Sequence, residues 1–240
     1  MKFFLAPMQG LTGYTVRNAF HHHFDYIDKY YTPFIPAAKR MNAKIKRDID
    51  PVNNDGITLI PQAMSIVADE VIDLHRQLVP YGYDEINVNL GCPSGTVVSK
   101  KRGSGILAYP DMLDSFLDDL YTKADFPVSI KTRVGFNDDE LWPRLIEIYS
   151  KYPISELTVH PRVQKDFYKN TPRMDDFALA MQKINPDKTI LCYNGDITDI
   201  NSFNALTDCF PDIDEIMIGR GLFANPALIA ELKGISMDKA

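Results

Sequence analysis

Reactive and polar side chains follow short apolar runs at regular intervals along this chain of 240 residues. Cys92 sits in a Gly91-Cys92-Pro93 turn directly after Asn87-Val88-Asn89-Leu90. Pro7-Met8-Gln9-Gly10, Gln62, Lys131 with Arg133, and His160 with Arg162 each close a run. Asn194-Gly195-Asp196 and Gly219-Arg220-Gly221 each place a glycine where an extended run stops and a helix is expected to begin. A free thiol, with an ordinary pKa of about 8.5, is mostly protonated near neutrality and can give up a proton. A lysine aimed into an enclosed mouth must meet a negative charge or lose its own. Glycine at a strand-to-helix turn lets backbone approach a ligand, N–H groups there attract an anion, and Arg220 adds a charged fork. Taken singly, these are turn glycines, a core histidine and a turn-filling cysteine. Taken together, they suit a phosphate at the last two turns and a planar group bonded along its edge by Gln62, Lys131 and His160. Flavin mononucleotide (FMN) has both parts, and Lys131 would stabilise the negative charge that its reduced ring carries near N1.

These positions need a scaffold that brings many strand ends together. Short β-branched or apolar runs recur at 3–8, 26–31, 58–64, 85–90, 128–133, 156–160, 189–194 and 215–219. Helical apolar spacing lies between them, as in Val67, Val71, Leu74 and Leu78; in Leu113, Phe116, Leu117 and Leu120; and in Leu141, Leu145, Ile148 and Tyr149. Eight strands alternating with helices over this length predict an α/β fold, a (β/α)8 TIM barrel, as one domain over 1–240. No G-x-G-x-x-G follows the first run, which argues against a doubly wound sheet. In such a barrel the active site lies at the C-terminal strand ends, and phosphate sites recur after strands seven and eight. Segment 94–105, after the Cys92 turn, reads as a mobile loop. Cys192 in mid-strand and Cys209 on an apolar helix face read as inert, and His21-His22-His23 as a polar helix end. No Cys or His spacing predicts a metal site.

With 45% hydrophobic and 24% charged residues, the chain can bury a large core, which excludes disorder and disulfide-dependent miniature folds. No apolar run approaches the ~20 residues of a membrane span, and the opening residues do not read as a secretory signal. Three scattered cysteines favour reduced thiols and the cytoplasm. The net charge of −6 disfavours indiscriminate nucleic-acid binding. Basic residues nevertheless cluster in three predicted βα loops: Lys39, Arg40, Lys44, Lys46 and Arg47; Lys100, Lys101 and Arg102; Arg162, Lys165, Lys169 and Arg173. A basic rim on the active-site face of an acidic protein suggests a polyanionic substrate.

The motifs resemble those of the tRNA-dihydrouridine synthase family, flavoenzymes that reduce selected uridines of tRNA. The matching stretches, in family order, are Leu5-Ala6-Pro7-Met8-Gln9-Gly10-Leu11-Thr12, Gln62, Ile86-Asn87-Val88-Asn89-Leu90-Gly91-Cys92-Pro93, residues 103–107, Lys131-Thr132-Arg133, Val159-His160-Pro161-Arg162, Asn194-Gly195-Asp196-Ile197 and Met217-Ile218-Gly219-Arg220-Gly221. The opening and the Gly-Cys-Pro-Ser-x-Thr-Val stretch look most like the C-type bacterial branch. The resemblance implies that Pro7 and Met8 line the flavin and that Gln62, Lys131 and His160 bond its ring or ribityl chain. It implies that Asn194, Gly195, Asp196, Gly219 and Arg220 hold ribityl and phosphate. Asn89 and Arg162 would contact the flipped-out tRNA uridine, Cys92 would be the general acid, and NADPH or NADH would reduce FMN. The implied partner is tRNA, with no membrane and no metal, and the protein is expected to be a monomer. Pro161 stands where the family usually has Gly or Ala, and Gly95 replaces a common basic residue. Family members continue into a C-terminal helical domain that grips tRNA; the chain stops at Ala240, so a barrel without that domain is expected. Two other readings fit the residues: an FMN-dependent ene-reductase or dihydropyrimidine-type oxidoreductase acting on a small molecule, and a non-catalytic flavin- or RNA-binding barrel.

Overall fold

A computed structural model describes residues 1–37 and 40–235. Its strands are β1 Lys2–Leu5, β2 Lys29–Tyr31, β3 Ile35–Pro36, β4 Leu59–Ile60, β5 Gln62–Met64, β6 Ile86–Leu90, β7 Val128–Gly135, β8 Glu156–Val163, β9 Ile190–Tyr193 and β10 Glu215–Ile218. They form one sheet in the order β3-β5-β6-β7-β8-β9-β10-β1-β2-β4, and the ladders are parallel. The two ends of that order are continuous in the chain: β4 runs into β5 across Pro61, and β2 runs toward β3 across residues 32–34. The sheet therefore closes into a barrel of eight staves, wrapped by helices such as Ala68–Leu78, Pro110–Lys123, Trp142–Ser150 and Met174–Lys183.

Each of the eight predicted runs carries a strand, but staves two and three are each broken in two. Pro33 and Pro61 supply no N–H for the ladder at these points. The Thr32 side chain bridges the gap, its Oγ1 accepting the Gln62 N–H at 2.9 Å. The expected mobile loop over 94–105 is instead a folded segment. It contains a helical turn, Gly95–Val98, and opens into a 3-10 stretch, Gly103–Ala108, whose residues 103–107 are buried. Cys209 also departs from expectation, since it ends the helix Ile200–Cys209 exposed to solvent.

Strand periodicity sorts the interior into two regions. Outward-facing Ile86, Val88, Leu90, Ile130, Leu157 and Val159 pack beneath the helices in the main core. Inside the barrel, Phe4, Ala6, Tyr31, Ile60, Cys192 and Met217 make a second apolar cluster. The inward positions of β6 to β8 are polar instead: Asn87 and Asn89, Ser129 and Arg133, then Glu156, Thr158, His160 and Arg162, all buried. Near the N-terminal strand ends Glu156 accepts from Lys29 Nζ (2.7 Å), Tyr31 Oη (2.7 Å) and Thr158 Oγ1 (2.8 Å). Removing one partner of a buried ion pair leaves the other charge uncompensated. Glu156→Leu is therefore expected to lower the unfolding free energy by about 3–5 kcal/mol, measured by urea denaturation, and pairing it with Lys29→Met should recover part of the loss.

Candidate active site

The C-terminal strand ends enclose a cleft of about 420 Å³. Its lining includes Pro7 and Met8 after β1, Gln62 on β5, Asn89 and Cys92 at and after β6, Lys131 and Arg133 on β7, His160 on β8, Asn194, Gly195 and Asp196 after β9, and Gly219 and Arg220 after β10. Every site residue expected from the sequence except Arg162 faces this space.

Cys92 is held from both sides. Asn89 Oδ1 accepts the backbone N–H groups of Gly91 (3.1 Å) and Cys92 (2.8 Å). The Cys92 carbonyl accepts the Ser104 N–H at 3.1 Å and Ser104 Oγ at 2.8 Å. Gly103 makes this approach possible: it adopts φ 55°, and a Cβ there would fall 2.7 Å from the Cys92 carbonyl oxygen. Burial pushes the Cys92 thiol pKa up, outweighing the pull of the nearby Arg133 and Lys131 charges, so the thiol keeps its proton at neutral pH.

The opposite wall is rich in positive charge. Lys131 Nζ donates to Asn194 Oδ1 at 2.6 Å, and Asn194 Nδ2 is fixed on the Met217 carbonyl at 2.7 Å. Desolvation, reinforced by the Arg133 guanidinium, lowers the Lys131 pKa to about 7. Arg133 donates to the carbonyls of Gly91 (3.0 Å), Val163 (2.9 Å) and Phe167 (2.7 Å), tying the Cys92 turn to the end of β8. Burial and the surrounding cations hold His160 well below the usual imidazole range, so its ring is neutral. Its Nε2 lies 3.4 Å from Arg162 Nη1, which can only donate, so the proton sits on Nδ1. Asp196 supplies the carboxylate of this wall and is shared by Arg162 and Arg220.

Arg162 does not line the cleft: it is 1% exposed and lies behind the wall, donating to Asp196 and to the carbonyls of Lys169 and Asn170. Arg133, two residues beyond Lys131 and on the same strand face, does line the cleft. Tyr168 also lines the cleft, 5.0 Å beneath the Arg220 guanidinium, from an irregular segment that left no trace in the sequence pattern. The basic rim is thinner than expected. Arg102 pairs with Glu70, Arg173 with Asp166 and Asp139, and Lys101 lies over Tyr109. Arg40, Lys44, Lys46, Arg47, Lys100, Lys165 and Lys169 are exposed, while Lys39 lies outside the described residues. Among the described residues no group of His, Cys, Asp and Glu is arranged to hold a metal ion, and no helix is long and apolar enough to cross a membrane.

The model of the dihydrouridine synthase (Dus) family matches residues 4–239. The chain belongs to that family. A tRNA-dihydrouridine synthase B of Pasteurella multocida is 26% identical over 243 residues, covering 98% of this chain and 69% of the relative. Where the opening motif resembles the C-type branch, this relative carries the letter B. A probable tRNA-dihydrouridine synthase of Staphylococcus aureus is 34% identical over 154 residues, or 62% of this chain. That match spans 46% of the relative, somewhat under half its length. Two solved structures share the fold at 11% identity: a variant of NCR from Zymomonas mobilis (TM-score 0.65, covering 99% of this chain and 88% of that one) and morphinone reductase (TM-score 0.64, 99% and 87%).

The buried Lys131 of this Dus-family barrel has a measurable consequence in the protein free of ligand. Between pH 7 and the ordinary lysine value of 10.5, the unfolded chain binds more protons at this residue than the folded one. Its contribution to stability therefore rises with pH across that window and is least favourable below it. Urea unfolding at pH 7 and pH 9 is expected to show a smaller rise for Lys131→Met than for the wild type; equal slopes would contradict the assignment.

Proposed function

We propose that the barrel over 1–240 is the FMN-binding catalytic unit of an enzyme that reduces specific uridines of tRNA to 5,6-dihydrouridine, with NADPH or NADH as reductant. The observation that carries this reading is the Cys92 thiol, kept protonated at the lip of a cationic cleft by a turn anchored on Asn89. Family membership supports the reaction class. The reading assigns the protein to the cytoplasm as a monomer.

The residues present fit FMN. Lys131, Arg133 and Arg220 bring three cations to the cleft against the one carboxylate of Asp196, an imbalance that an anionic ligand relieves. A Cβ at Gly219 would lie 3.3 Å from Ala6 Cβ and 3.7 Å from Met8 Sδ, so glycine keeps that wall open for a bulky group. Pro7 and Met8 would line the ring, with Gln62, Lys131 and His160 along its polar edge or the ribityl chain. Asn194, Gly195, Asp196, Gly219 and Arg220 would hold ribityl and phosphate. When bound, FMN accepts hydride from the nicotinamide and supplies it to the uracil ring.

The base must leave its stack to enter so deep a mouth. Asn89 would orient the uracil, and the exposed lysines and arginines of the rim would meet the phosphates around it. As hydride reaches C6, the electron pair of the C5–C6 double bond takes a proton at C5. Cys92 gives that proton and recovers one from solvent. Lys131, positive below about pH 7 and drawn to its charged form by an adjacent anion, would stabilise negative charge on the ligand.

Two experiments check this reading. Arg220→Ala should weaken FMN binding by about tenfold or more, the worth of one charge-assisted phosphate contact, read by quenching of flavin fluorescence; a wild-type protein that ignores FMN would refute it. Cys92→Ala should retain FMN and its reduction by NADPH, yet slow the reoxidation of reduced flavin by tRNA by about 10²–10⁴-fold. Stopped-flow absorbance gives that rate, and mass spectrometry of the tRNA reads the gain of two hydrogens. Cys92→Ser should be nearly as defective, because a hydroxyl is a far weaker acid than a thiol. Wild-type rates in both variants would leave Cys92 a merely structural residue.

A further inference from the structure

Below the cleft, buried amide side chains on β5 and β6 form a continuous chain of hydrogen bonds that all run in one direction. The N–H groups of Gly91 and Cys92 donate to Asn89 Oδ1 at 3.1 and 2.8 Å. Asn89 Nδ2 donates to Gln62 Oε1 at 2.7 Å, and Gln62 Nε2 donates to Asn87 Oδ1 at 2.8 Å. Asn87 Nδ2 then donates to Ser129 Oγ at 3.0 Å. Asn87, Gln62 and Ser129 are fully buried, and Asn89 is 9% exposed.

The polarity of this chain is dictated rather than chosen. A backbone N–H can only donate, so Asn89 must turn its oxygen toward Cys92 and its amide nitrogen toward Gln62. Gln62 must then show its oxygen to Asn89 and its nitrogen to Asn87. Asn87 must in turn accept from Gln62 and donate to Ser129. Ser129 receives that bond through its hydroxyl oxygen and ends the chain. Bonds aligned in this way polarise and strengthen one another.

We propose that Asn87 is a positioning residue. By accepting from Gln62 it locks the amides of both Gln62 and Asn89, so that Asn89 grips the Cys92 turn and the second N–H of each amide is kept for the cleft. That part of the floor then meets its ligand with donors and favours a ring carbonyl over an amino group. The proposal rests on the reading of the cleft as the uridine-reducing site. Asn87 itself lies one layer deeper and does not line the cleft.

Three variants of the full chain separate this role from simple support of the core. Asn87→Asp still accepts from Gln62. Asn87→Leu cannot, and Asn87→Ser, too short to reach Gln62, replaces it if the leucine variant does not fold. Ser129→Ala leaves Asn87 able to accept from Gln62 while costing a buried hydrogen bond. Side-chain amide exchange of Gln62 and Asn89, followed by NMR on isotope-labelled apoprotein, should remain slow in Asn87→Asp and Ser129→Ala. In Asn87→Leu or Asn87→Ser it should speed up by about tenfold or more. Urea unfolding is measured beside it, and exchange rates that simply follow stability across the set would overturn the proposal, as would slow exchange in Asn87→Leu. In the FMN-loaded enzyme, reoxidation of reduced flavin at saturating tRNA should fall by about tenfold to a hundredfold in Asn87→Leu and recover in Asn87→Asp. Equal defects in those two variants would also overturn it. A wild type that reduces no tRNA uridine defeats the functional reading alone, since the exchange measurement still decides the lock.

Discussion

Inward-facing polar groups on β6, β7 and β8 impose the constraint on which the rest of the site depends. Nine such positions, Asn87, Asn89, Ser129, Lys131, Arg133, Glu156, Thr158, His160 and Arg162, stand where an ordinary barrel places branched apolar residues. A buried donor or acceptor without a partner costs free energy comparable to a lost hydrogen bond, so each must be satisfied from within. The solutions differ by layer. At the N-terminal end, Glu156 collects Lys29, Tyr31 and Thr158. In the middle, the amides of Gln62, Asn87 and Asn89 satisfy one another. At the mouth, arginine forks close on backbone carbonyls and on Asp196.

Satisfying Arg133 and Arg162 in this way also shapes the cleft. Each guanidinium has donors to spare and binds acceptors from segments that local sequence does not connect: Arg133 the carbonyls of Gly91 and Phe167, Arg162 the Lys169 carbonyl and the Asp196 carboxylate. The irregular stretch after β8 is thereby drawn over the strand ends, and Tyr168 comes to rest beneath Arg220. Lys131 and Arg133 find only neutral acceptors, Asn194 for the one and backbone carbonyls for the other, and burial lowers the pKa of both. A cleft whose charge is incomplete in this way is suited to an anionic ligand.

The same economy explains why the folded segment after Cys92 matters. Its glycines read as a mobile loop, yet Ser104 donates twice to the Cys92 carbonyl and Gly103 supplies the backbone conformation that lets the two strands of chain touch. A thiol that must deliver a proton to one ring atom needs a fixed backbone, and here it is fixed through its N–H by Asn89 and through its carbonyl by Ser104.

Alternation of apolar runs with helical spacing is a local property, and it was enough to place eight staves and to set Cys92 and the two glycine turns at strand ends, whereas Gln62 opens β5 and the strands of Lys131 and His160 run on to Gly135 and Val163. Those strand-end positions follow from chain direction alone, because every stave of such a barrel points its C-terminal end to the same face. The splitting of staves two and three was less visible, since Pro33 and Pro61 interrupt ladders whose partners lie in other staves. The contrast between Arg133 and Arg162 shows the limit most clearly. Both follow a cleft residue by two positions on adjacent strands, and Arg133 is registered against His160 before the ladder shifts. Local spacing gives the two arginines the same standing. Only the folded barrel sets Asp196 and the carbonyls of 169 and 170 around Arg162 and so draws it behind the wall. A buried charge goes to the partners that compensate it, and their positions are decided by closure of the barrel, not by the neighbours of an arginine in the chain.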